Sequence, residues 1–208
     1  MKRTSLFIAL SFVVVQLMTA QDSNNWNKRG LPPCSDWVLG AGFNAVNNSG
    51  AILTGYGKFD HWAFGKIPFY GSVETNLSAK WRAKVTLSFN YFKDGKRFNG
   101  ATILGESEGG NDAGYLALDL GAQYYFLDSK KYEPYLLAGL GLSHFGDYST
   151  TRDPLTVVKP VDAFTFNAGF GINYWFSESW GLNAQLQGKW AFGANNHSQA
   201  SIGALYRL

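Results

Sequence analysis

Hydrophobic and polar positions alternate along most of this chain. Over residues 163–176 the even positions are Phe164, Phe166, Ala168, Phe170, Ile172, Tyr174 and Phe176. The odd ones are Ala163, Thr165, Asn167, Gly169, Gly171, Asn173 and Trp175. One face is greasy and the other small or polar. That period of two belongs to a strand; a helix would scatter the same residues around its axis. The rule marks seven further segments. Their apolar faces begin with Trp37, Leu39, Ala41, Phe43 and Ala45, then Phe69, Gly71, Val73, Thr75 and Leu77. Next come Trp81, Ala83, Val85, Leu87, Phe89 and Tyr91, followed by Leu116, Leu118, Leu120, Ala122, Tyr124 and Phe126. Leu136, Ala138, Leu140 and Leu142 precede the 163–176 segment. Leu182, Ala184, Leu186, Gly188, Trp190 and Phe192 follow it, and Ala200, Ile202, Ala204, Tyr206 and Leu208 close the chain. The pattern predicts eight strands.

The connections alternate in length. Tight turns fall near residues 78–80, 127–131 and 177–179, and longer ones over 47–67, 93–112 and 145–162, with a short link at 193–198. All long loops therefore leave one end of the array, and an even strand count returns both termini to the other.

Alternation alone does not say which face is inside, since an eight-stranded soluble carrier of the lipocalin kind turns its apolar face inward. The polar face decides. It carries Glu74, Arg82, Lys84, Asp119, Gln123, Asn167, Asn173, Asn183, Gln185, Gln187, Lys189, Gln199 and Arg207. Gly40, Gly42, Gly121, Gly139, Gly141, Gly169, Gly171 and Gly203 lie between them. Glycines among a few large polar groups suit a narrow, crowded lumen rather than a solvated surface. The apolar face has aromatics at its strand ends: Trp37, Trp81, Tyr91, Tyr124, Phe126, Tyr174, Phe176, Trp190, Phe192 and Tyr206. Two aromatic girdles flanking an aliphatic band fit lipid. Strands of about 11 residues, tilted by ~40°, span ~28 Å, the thickness of a bilayer core. The expected fold is an all-β, eight-stranded antiparallel up-and-down transmembrane β-barrel.

Composition narrows the class. Glycine is 24 of 208 residues without a G-x-y repeat, and only 16% of positions are charged, which excludes a collagen-like or disordered chain. Residues 1–20 have a basic start at Lys2 and Arg3, an apolar stretch over 6–17, and small residues at Thr19 and Ala20, as in a secretory signal peptide. Without Lys2 and Arg3 the 18 basic residues fall to 16 against 15 acidic ones, so no nucleic-acid partner is expected. Residues 21–35 are polar and aperiodic and read as a flexible periplasmic arm, with Trp26 and Arg29 as candidate anchors. The barrel is expected over 36–208. A single cysteine, Cys34, allows no internal disulfide and no multi-cysteine metal site.

The run Tyr124-Tyr125-Phe126, a lysine-bearing turn and Pro134-Tyr135-Leu136-Leu137-Ala138-Gly139-Leu140-Gly141 resembles the central hairpin of OmpA-like small outer-membrane β-barrels. So does Asn167-Ala168-Gly169-Phe170-Gly171-Ile172-Asn173-Tyr174-Trp175-Phe176 with the following Ser177-Glu178-Ser179-Trp180-Gly181-Leu182. The resemblance implies the outer membrane of a Gram-negative-type bacterium, contact with its lipid and lipopolysaccharide, and insertion by the barrel-assembly machinery. That family usually ends on an aromatic residue; this chain ends on Leu208. The pattern is expected to end at the eighth strand, without the family's C-terminal peptidoglycan-binding domain.

Three kinds of chemistry compete. Glu74, Arg82, Lys84, Asp119, Lys189 and Arg207 share the lumen face, where Glu74 is expected opposite Lys84. They form either a paired structural plug or a gated ion path. A hydrolytic site, as in barrels that modify lipid A, has candidates in Asp60-His61, in Ser143-His144 with Asp147 and Ser149, and in Asn196-His197-Ser198. These histidines are expected in exposed loops; as they lie on three different loops without an H-x-H pair, no metal site is expected. The charge run over 93–97 reads as a loop tip. Phe59, Trp62, Phe64 and Phe69 make the first long loop aromatic and suggest packing over the barrel mouth. No cofactor is expected. The leading function is a non-enzymatic structural or loop-mediated interaction role, including contact with another envelope protein. A narrow channel and a lipid A-modifying enzyme stand as alternatives.

Overall fold

The computed structural model describes residues 37–50, 52, 57, 61–63, 65, 68–92, 97–98, 101–104, 113–127, 129, 131–146, 148–150, 153–158 and 160–208. The leader at 1–20, the arm at 21–35 with Trp26, Arg29 and Cys34, and Phe59, Asp60, Phe64, residues 93–96 and Asp147 lie outside them.

Eight long strands form the wall: β1 Trp37–Asn47, β2 Phe69–Asn76, β3 Trp81–Phe92, β4 Ala113–Tyr125, β5 Tyr132–Phe145, β6 Val161–Trp175, β7 Trp180–Phe192 and β8 His197–Arg207. Each pairs antiparallel with the next. β8 returns to β1 in register from Val38↔Arg207 to Asn47↔Ser198. The sheet is closed, so the wall leaves no open edge to demand hydrogen bonds from its surroundings.

Local chemistry sets the hairpins. In each tight turn a serine hydroxyl accepts from the backbone: Lys80 N–H donates to Ser78 Oγ at 3.4 Å, Tyr132 N–H to Ser129 Oγ at 3.2 Å, and Trp180 N–H to Ser177 Oγ at 2.8 Å. These bonds replace ladder partners that the reversing chain has lost. The β7–β8 link uses Gly193 at φ 85°, a conformation that costs glycine little.

The two faces of the wall are inverted relative to a water-soluble protein. Phe43, Phe170 and Ile202 point outward and are 65%, 58% and 61% exposed, whereas Glu74, Gln123 and Lys189 point inward and are fully buried. An exposed apolar belt around a buried polar interior is stable in hydrocarbon and costly in water. Aromatic pairs span neighbouring strands at the turn end: Trp81–Tyr124, Tyr132–Tyr174 and Trp180–Tyr206, with ring centroids 5.0, 5.2 and 4.8 Å apart. Phe164–Phe192 and Phe166–Trp190 do the same toward the loop end.

Two features differ from the sequence pattern. β5 begins at Tyr132 rather than Leu136, running through Pro134, which stands opposite Ile172. Proline removes one ladder donor but is tolerated this close to a strand's start. The long loops also carry strands of their own. Trp62–Ala63 pairs with Val46 and Asn47, prolonging the position of β2 beside β1. Residues Arg97–Phe98, Ala101–Leu104, Tyr148–Thr150 and Asp153–Val158 form a second, four-stranded sheet. Its join is Ile103↔Thr150 and Leu104↔Ser149, so the second and third long loops are paired to each other. Strands this short give no readable alternation.

Candidate functional site: a charge-paired lumen

The inward side chains form a stack of hydrogen-bonded layers. At the turn end Arg82 grips Glu133 with both guanidinium nitrogens, at 2.8 and 3.0 Å, and donates to Asn76 Oδ1 at 2.9 Å. Trp175 Nε1–H donates to the same carboxylate at 2.8 Å. Arg207 approaches it at 3.7 Å, with its guanidinium 3.9 Å above the Trp175 ring. Two cations thus share one carboxylate, and the planar fork of Arg82 matches it in the bidentate geometry that gives the strongest pairs.

The middle layer holds Lys84 and Glu74, opposite each other in the β2–β3 ladder and 3.1 Å apart. Lys84 Nζ also donates to Gln185 Oε1 at 3.0 Å, as does the Tyr135 hydroxyl at 2.9 Å. From there amides and phenols continue without a break. Asn183 donates to Tyr135 Oη at 2.9 Å and to Asn173 Oδ1 at 2.7 Å, Asn173 donates to Tyr125 Oη at 3.1 Å, and Tyr125 donates to Gln123 at 3.2 Å. Pairing of this kind offsets much of the cost of burial, although Tyr70 Oη, Glu74 Oε2 and Asn183 Oδ1 have no hydrogen-bond partner among the described residues.

Toward the loops, Lys189 Nζ meets the two oxygens of Asp119 at 2.9 and 2.7 Å and donates to Tyr115 Oη at 3.1 Å. Asn167 adds a donor to Asp119 at 2.8 Å. Above them His197 Nε2 lies 3.2 Å from Tyr115 Oη and 3.3 Å from Ser143 Oγ. Its Nδ1 faces the Asn195 carbonyl at 3.3 Å, which assigns the proton to Nδ1 and leaves Nε2 to accept. Val46, Ala63, Phe92, Tyr115, Ala117 and Phe145 then cluster beneath the loop-end mouth.

Glycine makes room for these groups. A Cβ at Gly141 would collide with Asp119 Oδ1 and stand 2.8 Å from Asn167 and Thr165; one at Gly171 would strike the Tyr135 hydroxyl. Small and large inward residues therefore interdigitate across neighbouring strands. One small cavity lies among them. The cavity between Lys84, Thr86, Asp119, Asn167 and Gln187 has a volume of about 10 Å³, room for roughly one water.

The structure brings Arg82 and Arg207 together around Glu133, pairs Lys84 with Glu74, and pairs Asp119 with Lys189. Of the girdle residues, Trp81, Tyr91, Phe126, Phe176, Trp190, Phe192 and Tyr206 are exposed on the outer wall, and Trp37, Tyr124 and Tyr174 are half-buried there. Glu133, Tyr115, Tyr125 and Tyr135 also face the lumen, beyond the polar residues that the alternation marks. Their signal was parity: carried back through Pro134, the strand-five alternation puts Glu133 and Tyr135 in phase with Gly139. Carried back in strand four, it puts Tyr115 in phase with Asp119.

Of the hydrolytic groupings, only Ser143-His144 is seen to come apart; Asp60 and Asp147 lie outside the described residues. Ser143 and His144 are consecutive on β5 and so face opposite ways. Ser143 is buried in the lumen, whereas His144 pairs through Nδ1 with Asp162 Oδ1 at 2.6 Å on the exposed outer wall. His197 corrects the expectation of an exposed loop histidine: it opens β8 and is 1% exposed. Its neighbour Ser198 faces outward, where its hydroxyl donates to the Ile52 carbonyl at 3.5 Å. Asn196 Oδ1 is taken by Ala191 N–H at 3.0 Å. Among the described residues no group of three or more His, Cys, Asp or Glu lies close enough to hold a metal ion. Trp62 is buried at the loop-end mouth, and Phe69 is exposed on the outer wall.

A closed barrel with an apolar coat and a polar, filled interior defines an outer-membrane-type β-barrel. Solved structures share that fold. Neisserial surface protein A superposes with a TM-score of 0.55 at 14% identity over 84% of this chain and 99% of that one. OprG from Pseudomonas aeruginosa gives 0.55 at 15% identity, covering 84% and 96%. Ail, the attachment invasion locus protein of Yersinia pestis, gives 0.51 at 13% identity over 83% and 96%. No family model and no curated relative matches the sequence. The chain has the fold of these small, eight-stranded outer-membrane barrels.

Proposed function

We propose that this chain is a non-enzymatic outer-membrane barrel that presents a rigid loop platform to a partner outside the cell. The observation that carries the reading is the combination of a filled lumen with loops paired into a sheet of their own. With about 10 Å³ of free space between its two central ion pairs, the interior holds the wall together rather than passing solutes. The join at Ile103↔Thr150 fixes two loops relative to each other. That lowers the ordering cost of binding a partner. In this reading the turn end and both chain ends face the periplasm, residues 1–20 are removed on export, and residues 21–35 form a periplasmic arm. Glu74, Arg82, Lys84, Asp119, Lys189 and Arg207 then act as the paired plug. A test replaces the 97–104 and 148–158 segments by short turns and measures binding of intact cells to host-surface glycans and proteins. Loss of binding with the barrel still folded supports the role; unchanged binding removes it.

One observation favours a narrow channel as a second reading. Lys84 and Asp119, members of different ion pairs, line the same small cavity. An exchange of partners there would alter the lumen. Single-channel recordings in planar bilayers decide: discrete steps altered by Lys84→Met support the channel, and a silent bilayer removes it. For the enzymatic alternative, His144→Ala and His197→Ala each leaving lipid A unchanged is the expected result.

A further inference from the structure

Lys131 closes the second tight turn, immediately before Tyr132 opens β5. Its side chain does not reach into the lumen. The ammonium lies 5.5 Å from the centroid of the Tyr174 ring and 5.9 Å from that of Tyr132, against the outer wall. The two rings are 5.2 Å apart at 32°, on the neighbouring strands β5 and β6. Tyr132 is 48% exposed. Among the described residues no carboxylate pairs with Lys131, and neither phenol hydroxyl has a hydrogen-bond partner.

This patch differs from its equivalents around the girdle. Trp81–Tyr124 and Trp180–Tyr206 are also in ring contact, tilted at 51° and 55°, but among the described residues neither has a cation over its rings. Arg207, the neighbour of Tyr206 in sequence, is turned inward onto Trp175. A cation held on two ring faces is partly desolvated and points its remaining N–H groups away from the wall. With two phenols beside it, the patch offers N–H and O–H donors and positive charge at the depth where headgroups lie. That set matches a phosphodiester, and the apolar wall beyond it, Leu136 and Ile172, matches acyl chains.

We propose that Lys131, Tyr132 and Tyr174 form a binding site for the headgroup of an anionic phospholipid of the periplasmic leaflet, with phosphatidylglycerol as the ligand. The proposal rests on the reading that the turn end faces the periplasm. Lys131 supplies the charge, and the two tyrosines hold it in place and hydrogen-bond the phosphate.

The test is native mass spectrometry of the folded barrel released from vesicles of phosphatidylglycerol and phosphatidylcholine in equal amounts, with unboiled gel mobility as the check on folding. The expected result is a retained phosphatidylglycerol that Lys131→Ala weakens about fivefold, the worth of one cation at a membrane surface. Tyr132→Phe with Tyr174→Phe should weaken it too, and Lys80→Ala, a charge-matched change in the neighbouring turn, should leave it in place. Equal losses from Lys80→Ala and Lys131→Ala mean diffuse attraction and overturn the site. A folded barrel retaining phosphatidylcholine equally, or retaining no lipid, overturns it and leaves the barrel reading intact. Preferential retention of added lipid A, abolished by Lys131→Ala, would instead place this end in the outer leaflet and overturn the orientation. A protein that fails to fold in any vesicle would bring down the barrel reading itself.

Discussion

Replacing Asp119 by Asn probes the lumen at its most demanding point. Lys189 is fully buried, and among the described residues its ammonium finds charge compensation only in the carboxylate 2.7 Å away. A unit pair at that separation attracts by about 6 kcal/mol at an effective dielectric constant of about 20. Part of this survives, because the new amide can still accept from Lys189 and Tyr115 Oη still accepts at 3.1 Å. The net cost expected is about 3–5 kcal/mol, the usual price of a broken buried pair. Lys189→Met should cost less, about 2–4 kcal/mol, since Asp119 keeps the donor of Asn167 at 2.8 Å. The double variant removes both charges and should lie within about 1–2 kcal/mol of the original. Urea unfolding in lipid vesicles, followed by tryptophan fluorescence and gel mobility, gives all three values. Strong coupling means a dry, interlocked interior. Additive, sub-kilocalorie effects would refute the reasoning, because they require charges already solvated by a water-filled lumen.

Glu133→Gln should destabilise by about 2–3 kcal/mol, as Arg82 and Arg207 lose their shared carboxylate at a site slightly open to solvent; the same urea titration reports it. Gly141→Ala pushes a methyl group into the Asp119 carboxylate and should cost about 1–3 kcal/mol, read as a lowered unfolding midpoint. Ile202→Arg places a charge on the outer wall and should cost about 2–4 kcal/mol in vesicles if it lies near the bilayer midplane. A change below 0.5 kcal/mol there would be the signature of a wall facing water.

Much of the barrel was legible because strand parity is rigid. Once Phe164 is placed outside, Thr165 and every second residue after it must be inside. That logic locates all eight strands and assigns Lys84, Asp119 and Lys189 to one face. It stopped wherever a local break hid the phase. Pro134 cut strand five short and concealed Glu133, the carboxylate on which the turn-end layer depends. His197 lay next to a link that looked like a loop, although its parity with Gln199 put it inside. Parity also gives no account of height along the barrel, so it could not say that Lys84 and Asp119 border one cavity. The loop sheet was beyond reach for another reason. Pairing between Ile103 and Thr150 joins segments too short to show a period, and only their mounting on neighbouring hairpins brings them together.

In this reading the greasy face looks out into a membrane and the polar face is sealed within. The most direct measurement separates inner and outer membranes and compares the extracted protein on gels with and without boiling. A closed barrel resists detergent, so the account predicts an outer-membrane protein whose mobility shifts only on boiling. A freely soluble protein with one mobility would contradict it and would put the apolar face on the inside.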